Sequence, residues 1–510
     1  MKQLSRRHFL TGLAATPIVI FAGCSGGGNE PVRASPLRQL PIPPIAESRI
    51  DANGTRHFEL IAAAGAAELV AGKTTATWGY NGSQLGPTLR ARRGETVAFT
   101  VENSLPEPTT VHWHGMHVPA RFDGGPLQSI DPGDKWEPTW TIDQPSATLW
   151  YHPHPHGSSE KHVYRGLAGV FLVDDAVSDS LGLPGDYGVD DVPLIIQDRR
   201  FKEDGSLDES DSTDIGLLGD TIVTNGIAGA FLPVVTERIR LRILNGSSGR
   251  LYNLGFEDFR EFQLVATDGG LLGKPLLLSR IQISPGERVE VIVSIESGTD
   301  SILKSFPIDD HGGVGRESAD TFGFADTFDI LELRGKQRLR ASPELPAVLS
   351  VLPKLDIGRP VVERTFEMRW FMINGQRMDM NRIDFASIVD TTEVWTVKNV
   401  DNWPHNFHVH DAQFQIVDID GAPPPPELAG WKDTVYTPPG QRIRLALRFD
   451  EYTDTAQPYM YHCHMLMHED QGMMGQFVVV ESGDRSAQTL SPPLDTSGMN
   501  SIPAQHEKHH

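Results

Sequence analysis

The chain is predicted to be all-β and to fold as successive β-sandwiches, and three observations predict it. Short runs alternate apolar and polar residues with period two. Glu95-Thr96-Val97-Ala98-Phe99-Thr100-Val101, Arg238-Ile239-Arg240-Leu241-Arg242-Ile243 and, more weakly, Glu393-Val394-Trp395-Thr396-Val397 are examples, each with the pattern of a half-buried strand. Turn residues break these runs at short intervals, with 49 Gly and 37 Pro among 510 residues, as in sandwiches. Patterns long enough for sizeable amphipathic helices are missing. Hydrophobic residues at 39% can fill several cores, and the length suits about three domains.

Taken in order, residues 1–24 read as an export signal. Ser5-Arg6-Arg7-His8-Phe9-Leu10 resembles the twin-arginine motif. The apolar stretch from Leu13 to Gly23 is too short, and too broken by Thr16 and Pro17, to span a bilayer. Ala22-Gly23-Cys24 resembles a lipoprotein processing site, with Phe21 where an aliphatic residue is usual. Cys24 is therefore the expected lipidated residue, and the protein is expected in the periplasm or cell envelope, attached to a membrane by that lipid. The alternative is a soluble exported protein cut near Ala22.

Residues 25–55 are expected to be a linker that begins with the flexible Ser25-Gly26-Gly27-Gly28-Asn29. Strand patterns then fall in three blocks, 56–178, 190–337 and 361–483. A Pro-containing connector covers 338–360, and a polar tail, expected to be mobile, covers 484–510. Blocks one and three end alike, in Gly169-Val170-Phe171-Leu172-Val173 and Gly475-Gln476-Phe477-Val478-Val479-Val480, each shortly after a histidine cluster. That likeness points to one sandwich unit repeated.

Lys and Arg number 45 against 67 Asp and Glu, a net charge of −22. Phosphate neutralisation needs clustered cations, so no nucleic-acid partner is expected. An acidic surface favours solubility and attracts cations, and a monomer is expected. The two cysteines, Cys24 and Cys463, cannot build a disulfide framework.

The chemistry lies in the histidines. Twelve of the 19 fall in or beside four clusters: His112-Trp113-His114-Gly115 with His117, His152-Pro153-His154-Pro155-His156, His405-Asn406-Phe407-His408-Val409-His410, and His462-Cys463-His464 continuing to His468 and Met473. Isolated surface or core histidines do not bunch in this way. On a strand, residues i and i+2 share a face. His112 with His114, and His408 with His410, can therefore each reach one cluster of metals. In His462-Cys463-His464 the imidazoles share a face and the thiol takes the other. His405, an odd three residues before His408, also faces away. Two sites follow, one of imidazoles only and one of the Cys463 thiolate with His405, His468 and Met473.

Thiolate, two imidazoles and a weak thioether form a blue-copper electron-transfer set, and an all-imidazole site suits copper that handles oxygen. Zinc competes for such ligands, but structural zinc sites are closed four-ligand sets, and eight further clustered imidazoles exceed that need. Cys463 is covalently adjacent to His462 and His464, so the backbone links the two sites.

These four motifs, in this order, resemble the multicopper oxidase family over nearly all of the mature chain. Asp191-Val192-Pro193-Leu194-Ile195-Ile196-Gln197-Asp198 and Ala429-Gly430-Trp431-Lys432-Asp433-Thr434-Val435 are most similar to stretches of the bacterial periplasmic copper efflux (cuprous) oxidases. The resemblance implies three cupredoxin-like Greek-key β-sandwich domains, with block two a spacer that carries no cluster. It implies four copper ions, one type 1, one type 2 and two type 3. By motif position the type 1 copper would take His405, Cys463, His468 and Met473, and the type 2 copper His112 and His408. The type 3 pair would take His114, His152, His154, His410, His462 and His464. Asp123 and Glu469 match the acids that supply protons for reduction of dioxygen to water. His117 and His156 match no ligand position.

The substrate is less marked. The efflux oxidases carry a methionine-rich insert over the type 1 site, and the stretch between Met368 and Asn374 has none. Asp401 matches one acid of their substrate site, while Trp403 stands where they have Met. Cuprous ion is the first expectation, a small phenol or aromatic amine the alternative, and a copper-free envelope scaffold a third reading. Without the insert, the edge of His468 is expected to be more open than in the efflux oxidases and to admit bulky aromatic reductants.

Overall fold

The computed structural model describes residues 37–210, 212–358 and 362–484. The twin-arginine segment, Cys24 and the tail beyond Asp484 lie outside these residues. Strand accounts for 48% of the structure and helix for 8%, so the all-β expectation is met. Alternation produces the strands as read. In Thr96–Ser104 the side chains of Val97, Phe99 and Val101 are buried while their neighbours are half-exposed.

Three cores are built from facing sheets. The first joins a sheet of Ser48–Ile50, Arg56–Ala67, Thr96–Ser104 and Lys135–Trp136 to one of Leu89–Arg92, Gly169–Asp174, Ala147–His152 and His112–His114. Phe58, Phe99, Trp113, Trp140 and Phe171 fill the space between. Full burial of each large side chain stabilises the fold by about 1.5–3 kcal/mol. The second core lies between six- and seven-stranded sheets drawn mostly from residues 192–340. The third lies between two five-stranded sheets and is filled by Phe366, Trp395, Phe407, Tyr461 and Phe477.

The likeness of blocks one and three extends to strand order. In block one the order is Leu89–Arg92, Gly169–Asp174, Ala147–His152, His112–His114; in block three it is Phe385–Ile388, Met474–Val480, Asp454–His462, His405–Val409. In each, the Gly-led strand lies between a parallel edge strand and the strand that ends in His152 or His462.

Two expectations need correction. The supposed linker over 25–55 contributes strands where it is described. Arg38–Gln39 pairs with Ala230–Thr236, and Ser48–Ile50 pairs with Arg56–Ala67. Backbone pairing at a sheet edge leaves no side-chain period in strands this short. Arg238–Asn245, read as half-buried, is buried on both faces. Its polar side is closed by ion pairs, with Arg242 on Asp191 and Glu290, and Arg240 on Glu290. Thr148 of block one bonds to Glu290 and Arg242 there. Among the described residues no helix is long and apolar enough to cross a membrane.

Candidate metal centre

Strand pairing sets the histidines side by side. His112–His114 runs antiparallel to Ala147–His152, which puts His112 opposite His152. His405–Val409 runs antiparallel to Asp454–His462, which puts His408 opposite His462. All twelve expected ligand residues are at most 1% exposed. Burying so many polar rings is costly unless each nitrogen is used.

Most of the rings spend one nitrogen on the protein and turn the other inward. His112 donates Nδ1–H to the Asp123 carbonyl (2.9 Å) and His408 to the Asp433 carbonyl (2.8 Å). That leaves the Nε2 atoms of both buried with no hydrogen-bond partner. His154, His410 and His462 converge, with His462 Nε2 3.2 Å from both His154 Nε2 and His410 Nε2. His152 Nε2 lies 3.4 Å from His114 Nδ1 and 3.4 Å from His464 Nε2. His114 is turned the other way, because its Nε2–H donates to Asp433 at 3.0 Å. Outer hydrogen bonds of this kind select the tautomer and orient a metal-binding imidazole.

The thiolate set forms apart from the imidazole cluster, from Cys463 just after the strand Asp454–His462, His405 at the start of His405–Val409 and His468 in the helix Leu466–Asp470. His405 Nδ1 and His468 Nδ1 are 3.1 Å apart, and Cys463 Sγ is 3.8 Å and 3.5 Å from them. Met473 is fully buried, and its carbonyl accepts the Cys463 N–H. Orphaned inward-facing imidazole nitrogens and a buried thiol between two Nδ1 atoms fit copper in both sites.

Electrostatics agree with neutral ligands. Burial, then the neighbouring imidazoles, holds His114, His152, His154, His408 and His464 well below the usual range. Burial, with Glu469 adding to it and the Asn406 and Met465 backbone opposing it, pushes the Cys463 thiol up to about 12, which a coordinated cation would reverse. Burial raises the Asp123 carboxyl, but His410 and His112 outweigh it and hold the group below the usual carboxylate range. Glu469 goes the other way, well above that range, because burial and then Asp470 disfavour its charge.

Both expected acids lie at the imidazole cluster. Asp123 Oδ2 accepts the His410 Nδ1–H at 2.6 Å. Glu469 lies 3.2 Å from His154 Nδ1 and 3.3 Å from His462 Nδ1, and Ser159 donates its hydroxyl to it. His117 instead bonds Asp411 at 2.8 Å, and His156 is exposed.

The sequence reading missed Asp433 and Arg288. Asp433 touches His114, and its carbonyl accepts from His408. Arg288 of block two donates to both Asp433 oxygens at 2.7 and 2.6 Å, to the Thr148 carbonyl and to the Asp268 carbonyl. One guanidinium thus ties all three blocks at the cluster. Gly115 makes room for it at φ +83, since a Cβ there would stand 2.6 Å from the Arg288 and Asp433 side chains. Asp433 lies in the stretch 429–435 that resembles the efflux oxidases, but Arg288 had no sequence signal. Arg288→Met is expected to destabilise the metal-free protein by about 3–5 kcal/mol, because it strands a buried carboxylate. Urea unfolding checks this, and an unchanged midpoint would show the clamp to be idle.

Two stretches, residues 62–178 and 353–483, match the multicopper oxidase family. A multicopper oxidase of Staphylococcus haemolyticus is 36% identical over 86% of this chain and 92% of its own length. The chain belongs to the multicopper oxidase family. The cell division protein FtsP of Escherichia coli is 34% identical over 93% of this chain and 99% of its own length. The crystal structure of a laccase from Pediococcus acidilactici superposes with a TM-score of 0.80 at 34% identity, over 89% of this chain and 96% of that one.

The structure of this multicopper oxidase overturns two expectations about the edge of His468 and the blocks around it. The edge is closed. His468 is fully buried, Phe371 and Trp403 pack against it with ring centroids 5.4 and 6.2 Å away, and its Nε2–H donates to the Asp214 carbonyl at 2.7 Å. Two aromatic rings and a backbone carbonyl do what a methionine-rich insert was thought necessary to do. Block two, read as a spacer, supplies both that carbonyl and Arg288. Asp401 lies beside His405. One oxygen accepts from the Trp370 N–H and lies 3.4 Å from His405 Nε2, and the other accepts from the Asn402 N–H at 2.6 Å.

Proposed function

We propose that this multicopper oxidase couples oxidation of cuprous ion to four-electron reduction of dioxygen to water, with four copper ions as cofactors, one type 1, one type 2 and two type 3. When bound, the type 1 copper would accept single electrons and the other three would reduce dioxygen. His405, Cys463, His468 and Met473 would hold the first. His112 and His408 would hold the type 2 ion, and His114, His152, His154, His410, His462 and His464 the type 3 pair.

The chain's other residues orient and supply. Asp123 and Asp433 fix the tautomers of His112, His410, His114 and His408. Glu469, whose acid form burial favours, would store a proton between His154 and His462. The surrounding cores exclude water from the imidazole cluster.

The observation that carries the cuprous reading is the closed edge of His468. A phenol or aromatic amine needs ring contact with that edge, and the edge is filled. A single ion needs far less room. Turnover with cuprous ion, a phenol and an aromatic amine, measured side by side, tests the reading. Cuprous ion is expected to give much the largest kcat/KM. A preference for the aromatics would make the protein laccase-like. The likeness to FtsP raises a copper-free scaffold, but this chain keeps a ligand-type residue at all twelve positions. A colourless protein after copper loading would favour the scaffold.

The cellular place belongs to the same proposal. Export by the twin-arginine route and a lipid at Cys24 would set a monomeric oxidase in the periplasm or envelope, where cuprous ion would meet it. Mass spectrometry of the mature N-terminus tests this.

Asp401 supports the type 1 set in this reading instead of binding substrate. Asp401→Ala is expected to lower kcat/KM for cuprous ion and for a phenol by the same factor, because His405 loses its carboxylate neighbour. Loss confined to cuprous ion would return Asp401 to the substrate site.

A further inference from the structure

The carbonyl over His468 belongs to a small hairpin, Ser212–Thr213 paired with Gly216–Leu217, with Asp214 and Ile215 at its tip. The hairpin comes from block two but docks on block three. Ile215 is fully buried in the core that also holds Cys463, Met465 and Met473. Asp214 accepts the His468 Nε2–H, which leaves Nδ1 for the thiolate set.

The returning strand is latched to block one. The Leu217 N–H donates to Oε1 of Glu160 at 2.7 Å, and Glu160 lies in the helix Ser159–Tyr164. Gly216 has φ +106, and a Cβ there would collide with that Glu160 oxygen and stand 3.1 Å from the Met467 Cβ, one residue before His468. A side chain at 216 would therefore wedge the hairpin away from both anchors, in a backbone conformation costly for any residue but glycine. The Glu160 backbone N–H separately donates to Asp470, so removing only the carboxyl leaves that bond in place.

We propose that Glu160 and Gly216 are specificity-determining residues, which hold the hairpin over the His468 edge and so exclude bulky aromatic reductants while admitting a small ion. This rests on the type 1 assignment above. An aromatic ring can reach Nε2 only by displacing the Asp214 carbonyl, and the hairpin cannot lift while Leu217 is held and residue 216 sits flush against Met467.

Copper-loaded wild type, Glu160→Ala and Gly216→Ala test it, with 2,6-dimethoxyphenol and cuprous ion as reductants and amide exchange read over residues 213–217. Both variants are expected to exchange faster there and to raise phenol kcat/KM by about tenfold, with cuprous oxidation within about twofold of wild type. Faster exchange without a gain for phenol would overturn the proposal, and so would unchanged exchange, since Glu160 and Gly216 would then not hold the hairpin. An equal rise for both reductants would overturn it too. A wild type without a blue band would sink the type 1 assignment itself, whereas a blue enzyme whose preference does not change sinks only the hairpin's role.

Discussion

Cys463→Ser is expected to abolish the blue colour and reduce turnover with every reductant to background, while the fold survives. The soft thiolate distinguishes a blue-copper set from an ordinary imidazole site, and a serine hydroxyl stays protonated and hard. The replacement is nearly isosteric. Its hydroxyl would meet Asn406 Oδ1, which stands 3.5 Å from Sγ, so the cost is limited to about 1–3 kcal/mol. The surrounding core is aromatic and does not depend on the thiol. Absorption spectra, copper content and the melting point of the metal-free form decide the matter. A serine variant that stayed blue would remove the type 1 assignment.

Glu469→Gln is expected to lower kcat by about 10²–10⁴, the range of a positioned general acid, with copper content and colour unchanged. Glutamine keeps the shape and can still accept from Ser159, but has no proton to release beside His154 and His462. The sign follows from the raised pKa: the acid form persists to higher pH than in an ordinary carboxyl and is lost as pH climbs past the raised value. Activity of the wild type should therefore fall on the alkaline side, and the variant should lack that limb. Reduction of the type 1 site by cuprous ion under anaerobic conditions should proceed at the wild-type rate. If copper were lost instead, Glu469 would be a structural neighbour of its two histidines.

Much of the fold was legible because burial on one side of a strand leaves a period of two, as Val97, Phe99 and Val101 show. Where a strand is covered on both sides, as at Arg238–Asn245, the same alternation misleads. There the polar residues are inside, neutralised by Asp191 and Glu290. Short edge strands such as Arg38–Gln39 left no pattern at all.

The separation of the two sites was also legible. His462 and His464 were expected to share a face and Cys463 to take the other, and the two sets do separate, although the strand itself ends at His462. Which imidazoles would meet was not. His154 finds His462 across 308 positions, and His114 finds Asp433 across 319. Such pairings depend on how the sandwiches dock, which no local period encodes.

By itself the sequence determined the all-β class, the repeat of one sandwich and the chemical kind of each candidate ligand, because these follow from residue type and from spacing along the chain. Only the tertiary structure decided that Arg288 joins three blocks at Asp433, that Asp401 accepts from two backbone N–H groups beside His405, and that the edge of His468 is shut. Those outcomes turn on a guanidinium, a backbone carbonyl and a half-turn of hairpin brought in from block two. Their energy comes from burying and pairing groups far apart in the chain, and that energy exists only once the blocks have packed.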